Sequence, residues 1–252
     1  MLRILAIGNS FTQDSVRYLY GIARAAGQEV RVVNLYISGC SLYRHYRNMF
    51  SEEEAYDFEI NGFKTGLTVS LKQALLMEEW DYIVTQQCSQ DSFQYKTYQP
   101  YLDALAAYIR RLCPPAKLCL QMTWAYDPEF SRYQTMSVST PVEMLSGIKQ
   151  AYRNAAESIN ARFLIPTGIA VKKLYAAIGG AVYRDKYHAN LGVTRYMIGC
   201  LWFMAITGID IIDNTFADFD VPVSDEEIAL AKEIARQTLL DNGFILKLSS
   251  AQ

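Results

Sequence analysis

The sequence predicts an α/β fold: a three-layer α/β/α sandwich around a mainly parallel five-stranded sheet, with a β-hairpin inserted around residues 54–68. Three observations carry this expectation. Short apolar runs with β-branched members alternate with amphipathic segments of helical period along the chain. Most strand-like runs end in Gly, Ser, Asn or Gln before a helix begins, which is the punctuation of βα units. No internal repeat, low-complexity tract or linker divides the 252 residues, so a single domain over 1–252 is the economical reading.

Residues 2–7 are the first strand, apolar enough to be buried on both faces of a parallel sheet. Gly8-Asn9-Ser10 breaks the run. A helix to about residue 26 follows, capped by Thr12 or Asp14, with Val16, Leu19, Tyr20, Ala23 and Ala26 on one face and Gly27 at its stop. Residues 30–37 form the second strand, ended by Ser38-Gly39-Cys40-Ser41, and 42–49 a short helix. Residues 56–65 alternate apolar and polar about Asn61-Gly62, a type I′ turn dipeptide. That hairpin reads as an insertion over one face of the sheet. Ser70 caps a helix over 71–79. Residues 80–86 are the third strand, with a polar exit of Gln86, Gln87, Ser89, Gln90, Asp91 and Ser92. Pro100 opens a helix to 113, and Pro114-Pro115 stops it before the fourth strand, 117–123. An aromatic loop, 124–133, comes next. Thr140-Pro-Val-Glu143 combines a capping box with Pro at the first helical position, so 141–159 is a helix. Residues 163–165 are the fifth strand and 168–178 a helix closed by Gly179-Gly180. A polar loop, 183–190, precedes an apolar helix over 191–207, and Ser224-Asp-Glu-Glu227 starts the last helix.

Composition excludes several function classes. Hydrophobic residues make up 51% of the chain, enough for a sizeable core, and the formal net charge of −2 carries no basic stripe for nucleic acid. The longest apolar run, 196–209, falls short of a membrane span and is punctuated by Gly and Thr. Strand-like sequence begins at residue 2 with no signal-peptide pattern, and five cysteines (40, 88, 113, 119, 200) make no disulfide framework, so the expected compartment is the cytoplasm. Two histidines and no Cys-x-x-Cys give no zinc spacing. No Gly-x-Gly-x-x-Gly or Walker-type loop follows the first strand, so neither metal nor nucleotide cofactor is expected.

Ser10 stands at a strand-to-helix turn, where open α/β sheets bind ligands and a helix amino terminus favours developing negative charge. On this stretch alone it reads first as an ordinary helix cap. A nucleophilic serine needs a base and an orienting carboxylate. His188 has Asp185 three residues before it in a loop, a spacing that can bring the carboxylate beneath the imidazole. His45 lies on a short polar helix and reads as a solvated surface residue or, less directly, a substrate contact. Cys40 is an alternative nucleophile with a poorer turn context, while Cys113, Cys119 and Cys200 read as buried small hydrophobes.

Taken as an ordered set, Gly8-Asn9-Ser10-Phe11-Thr12, Ser38-Gly39-Cys40 and Asp185-Lys-Tyr-His188 resemble the blocks of the SGNH (GDSL-type) hydrolase superfamily. The resemblance covers nearly the whole chain. Closer still, the Gly-Asn-Ser-Phe block, the Trp-Asp-Tyr strand entry and the Gln-Gln-x-Ser strand exit look like an uncharacterised branch of it. It implies a flavodoxin-like sheet, Ser10 as nucleophile, His188 as base, Asp185 as its orienter, and the N–H groups of Ser10 and Gly39 as oxyanion donors. The superfamily's Gly-x-Asn-Asp block is replaced here by Thr85-Gln-Gln-Cys-Ser-Gln-Asp91, which lacks the Asn donor. Alignment by strand end puts Gln87 in its place; alignment on the Asp puts Gln90 there. Asn9, Cys40, Trp124 and Tyr187 are the candidate pocket residues, with aromatic side chains of the 124–133 loop available to stack on a sugar. The implied activity is hydrolysis of a small acyl ester, an O-acetylated carbohydrate first, with a small-molecule or glycan ester as partner and no cofactor. The rival readings are a catalytically degenerate glycan-binding or scaffold module and a nucleotide-binding doubly wound domain.

Overall fold

The structure is a computed structural model that describes residues 1–247. Seven strands form one sheet: β1 (Leu2–Gly8), β2 (Val30–Tyr36), β3 (Tyr56–Ile60), β4 (Phe63–Val69), β5 (Tyr82–Thr85), β6 (Lys117–Gln121) and β7 (Leu164–Ile165). Their order is β4-β3-β2-β1-β5-β6-β7. The five parallel strands, β2-β1-β5-β6-β7, have the order of a flavodoxin-like doubly wound sheet. Strand β1 is central, paired on both sides, and Ile4, Leu5, Ala6 and Ile7 are buried.

Among the described residues the sheet has seven strands, not five, because the hairpin joins it. Strand β3 pairs antiparallel with β2, with Val33 opposite Ile60 and Tyr36 opposite Asp57. Without the hairpin, β2 would present an unpaired edge. Burial of Tyr56 and Phe58 secures it, so the expected position over one face is corrected to the sheet's edge. The turn has φ of 54° at Asn61 and 86° at Gly62, both left-handed as a type I′ turn requires. A Cβ at Gly62 would also come within 2.3 Å of the Arg17 carbonyl oxygen.

Helices α1 (Ser10–Val16), α2 (Leu19–Ala25), α7 (Thr167–Ile178), α8 (Val193–Thr207) and α9 (Asp225–Asp241) cover one face. Helices α3 (Leu42–Ser51), α4 (Leu71–Met77), α5 (Tyr101–Leu112) and α6 (Pro141–Ser158) cover the other, as right-handed crossovers dictate. Helix α8 is buried on nearly every side, which is why its sequence is apolar all round. The expected helix to residue 26 is broken at Arg17 and Tyr18, where the two side chains turn to Asp220 and to the Leu191 carbonyl. Thr140 caps α6 through the Glu143 N–H, but the Glu143 carboxylate takes the Ser139 N–H, so the box is not reciprocal. Among the described residues, no helix is long and apolar enough to cross a membrane.

His45 is corrected from a surface residue to a core one. It faces inward from α3, wholly buried, with its ring stacked on Tyr56 and Nδ1 2.9 Å from the Tyr56 hydroxyl. Burial, aided by the charge of Arg44, pushes its pKa down to about 3. All five cysteines are free and buried, and burial pushes the Cys40 thiol up to about 12, which disfavours the thiolate that a nucleophile needs.

The His45 shift makes stability depend on pH. Its ordinary value of 6.5 applies to the unfolded chain, which therefore takes up a proton the native state refuses. The contribution is complete above pH 6.5 and is lost as pH falls towards 3. Between pH 7 and pH 5 the wild type should lose about 2 kcal/mol more stability than His45→Gln, as read by urea denaturation. Equal losses would remove His45 as the source.

Candidate active site

Strand β1 delivers its last residues to the carboxyl edge of the sheet, where β2 and β5 also end. Asn9 follows in an extended conformation (φ −142°) and is the N-cap of α1; the expected caps, Thr12 and Asp14, lie inside the helix. The Asn9 Oδ1 accepts from the Phe11 N–H at 3.0 Å and from the Gln86 amide at 2.8 Å. Its Nδ2 donates to the Cys40 carbonyl at 3.0 Å. One buried carboxamide thus joins the segments leaving β1, β2 and β5. Ser10 is the first helical residue, and its hydroxyl is not used as a cap.

The Ser10 Oγ lies 2.8 Å from His188 Nε2, and His188 Nδ1 lies 2.6 Å from Asp185 Oδ2. The other Asp185 oxygen accepts the His188 backbone N–H at 2.8 Å. Partial burial opposes the charge on Asp185, but the bonds from His188 outweigh it and hold the carboxyl below its ordinary pKa. The structure therefore brings Ser10, His188 and Asp185, from opposite ends of the chain, into one hydrogen-bonded line. A bridge between Tyr183 and Ala189 closes the base of the His188 loop. Lys186 adopts φ 75°, a left-handed kink, and its carbonyl accepts the Asp127 N–H at 2.8 Å. The Trp124 indole donates to the Tyr187 carbonyl at 2.8 Å. The Tyr187 and His188 rings lie 3.9 Å apart, and Tyr187 stacks on Phe130.

Gly39 has φ 59°, which suits glycine, and lies exposed in the turn after β2. Among the described residues, neither its N–H nor that of Ser10 donates to a protein acceptor, so both are open to a ligand. The two glutamines behave otherwise. The Gln87 Oε1 accepts from the Leu42 and Cys88 N–H groups, and its Nε2 donates to the carbonyl and hydroxyl of Thr97. The buried amide is thus bonded at both its oxygen and its nitrogen, on the side of Thr97, so Gln87 is corrected from oxyanion donor to loop fastener. Gln90 lies exposed and pairs with Arg132. Of the candidate pocket residues, Asn9, Cys40 and Trp124 are buried, Trp124 against Phe11 at 4.1 Å between ring centres; Tyr187 alone of them is partly exposed. Gln86 was not singled out as a site residue, and its strand-exit position next to Gln87 was the available signal.

The line can take a proton from the Ser10 hydroxyl as its oxygen attacks a carbonyl carbon. The model of a domain family described as a domain of unknown function, DUF4886, matches residues 3–238. Among solved structures, a crystal structure of a DUF4886 family protein from Bacteroides uniformis is 30% identical, with 100% of this chain and 99% of that chain covered and a TM-score of 0.89. A protein from Slackia heliotrinireducens, provisionally described as an SGNH hydrolase, is 22% identical over 82% of this chain and 98% of that chain, with a TM-score of 0.57. An acetyl xylan esterase, AlAXEase, is 16% identical over 81% of this chain and 100% of that chain, with a TM-score of 0.52. These last two likenesses are of fold, and the fold is that of the SGNH hydrolases. No curated protein matches the chain.

Asn9→Ala should destabilise the protein by about 2–4 kcal/mol, because it removes a helix cap and strands two buried polar groups. An unchanged urea midpoint would show that the three-strand junction does not depend on this side chain.

Proposed function

We propose that this chain, which belongs to the DUF4886 family, is a serine ester hydrolase acting on a small acyl ester. The observation that carries the reading is the Ser10–His188–Asp185 line, with both hydrogen bonds inside catalytic reach. Ser10 Oγ attacks the ester carbonyl as His188 Nε2 takes its proton. Asp185 holds the imidazole in the tautomer that accepts at Nε2 and stabilises the cation that forms. The Ser10 and Gly39 N–H groups receive the negative charge on the carbonyl oxygen. His188 then returns the proton to the departing alkoxide, leaving an acyl group on Ser10. Water attacks that acyl group, again losing its proton to His188, and the acid leaves as Ser10 regains its hydrogen.

The substrate class is an O-acylated carbohydrate, acetylated in the first instance. The support is the partly exposed Tyr187 beside His188, which puts an aromatic side chain next to the reacting groups, where sugars are commonly met. The likeness in fold to an acetyl xylan esterase agrees with it. The burial of Trp124 narrows the aromatic contribution to Tyr187 within the candidate set. The rival reading, a glycan-binding module of degenerate chemistry, is favoured by one observation: the buried Gln87 amide donates to Thr97 and makes no bond at the Ser10 turn among the described residues. Such a missing donor lowers turnover by roughly 10²–10³-fold where it has been removed from other enzymes.

Ser10→Ala should lower hydrolysis of p-nitrophenyl acetate by about 10⁴-fold or more with an unaltered circular dichroism spectrum. A fluorophosphonate should modify the wild type at Ser10, located by mass spectrometry. Equal turnover by the two proteins, or no labelling alongside intact sugar binding, would replace the hydrolase reading with its rival.

A further inference from the structure

We propose that Asp14 is a positioning residue, a buried carboxylate that holds the His188 loop on the Ser10 helix through Arg184. The proposal rests on the serine-hydrolase reading above. Asp14 is wholly buried and lies on α1, one helical turn after Ser10. A buried carboxylate is stable only when paired and hydrogen-bonded. Here two guanidinium groups meet it. Arg184 Nη1 lies 2.8 and 3.0 Å from its two oxygens, and Arg195 Nε lies 2.9 Å from Oδ1.

The two arginines belong to different elements. Arg195 stands on α8, and it also pairs with Asp220 at 3.0 Å. Arg184 directly precedes Asp185. Its backbone N–H donates to the His188 carbonyl at 3.1 Å, and its Nη1 also donates to the carbonyl of Ala189. Arg184 thus brackets the Asp185–His188 pair on both sides while its guanidinium is anchored on Asp14. The result is a closed ring: Ser10, one turn of α1, Asp14, Arg184, Asp185, His188 and back to Ser10. The loop's bonds through Trp124 and Asp127 fasten it to the segment after β6, not to α1. Among the described residues, the Asp14–Arg184 pair is the polar tie between α1 and the 183–190 loop besides the Ser10–His188 bond itself. That bond must break and re-form during turnover, so the register of the two elements needs a tie that does not. A misplacement of about 1 Å at a reacting pair can cost roughly 10²-fold in rate.

Arg184 and Arg195 form a matched pair for the test, since both meet the same carboxylate and only Arg184 carries the loop. Arg184→Gln, Arg184→Lys, Arg195→Gln and Ser10→Ala are compared with the wild type on p-nitrophenyl acetate, below the melting temperature of every variant. Arg184→Gln should lower kcat by roughly 10–100-fold with KM within about two-fold, and slow fluorophosphonate labelling by the same factor. Arg184→Lys, which keeps the charge and a donating nitrogen but not the guanidinium geometry, should recover part of that loss. Arg195→Gln should lower the melting temperature yet keep kcat within about two-fold. An unchanged kcat in Arg184→Gln, or an equal loss in Arg195→Gln, overturns the positioning role while an inactive Ser10→Ala leaves the hydrolase reading standing. An active Ser10→Ala overturns both.

Discussion

Ser10 can face His188 because Asn9, and not Ser10, caps the first helix. A serine at a strand-to-helix turn has two uses for its hydroxyl, and a cap bond to the backbone would turn it away from any partner. The Asn9 side chain takes the Phe11 N–H and relieves Ser10 of that role. The same carboxamide then reaches the Gln86 amide and the Cys40 carbonyl, so the ends of three strands are fixed relative to one hydroxyl. Ser10 stays at the helix amino terminus, its own N–H unpaired among the described residues, with the exposed Gly39 turn following β2. The fold thus assembles the site at the carboxyl edge of its central strands, where an open parallel sheet leaves a crevice.

Behind that edge the protein buries many polar groups, and most are held in specific pairs. Asp14 is neutralised by two arginines, Gln87 is hydrogen-bonded by the loop it fastens, and the uncharged His45 ring meets the Tyr56 hydroxyl through Nδ1. Each is unfavourable to bury alone and favourable in place, which makes the arrangement specific as well as stable. The hairpin belongs to this logic. It closes the β2 edge, supplies Tyr56 to His45, and so backs the segment that carries Gly39.

The alternation of strand and helix, the parallel strands, the hairpin turn and the helix caps at Ser70, Thr140 and Ser224 were all readable, because local patterning encodes them. The candidate residues Ser10, Asp185, His188 and Gly39 were readable as an ordered set of blocks. His45 was misread because a helix with Arg44, Arg47 and Asn48 looks solvated, while the partner that buries it, Tyr56, lies on a hairpin strand. Gln87 was misplaced for a related reason. An amide at a strand end looks free until Leu42 and Thr97, remote in sequence, take up its bonding capacity. Trp124 reads from sequence either as a sugar-stacking candidate or as local core, and the structure makes it core, its ring matched by Phe11 and its N–H by the Tyr187 carbonyl.

The sequence by itself determined most of the elements and their order, since those follow from periodicity and turn chemistry, and it offered Ser10, His188 and Asp185 as what the resemblance to the SGNH blocks implies. Tertiary structure alone decided which polar side chains stay open to a ligand. Every carboxamide, imidazole or indole near the sheet edge can serve either a substrate or the fold. The choice depends on acceptors and donors brought in from elsewhere in the chain. Asn9, Gln87 and Asp14 were claimed by the fold, and the Ser10 hydroxyl was left facing His188.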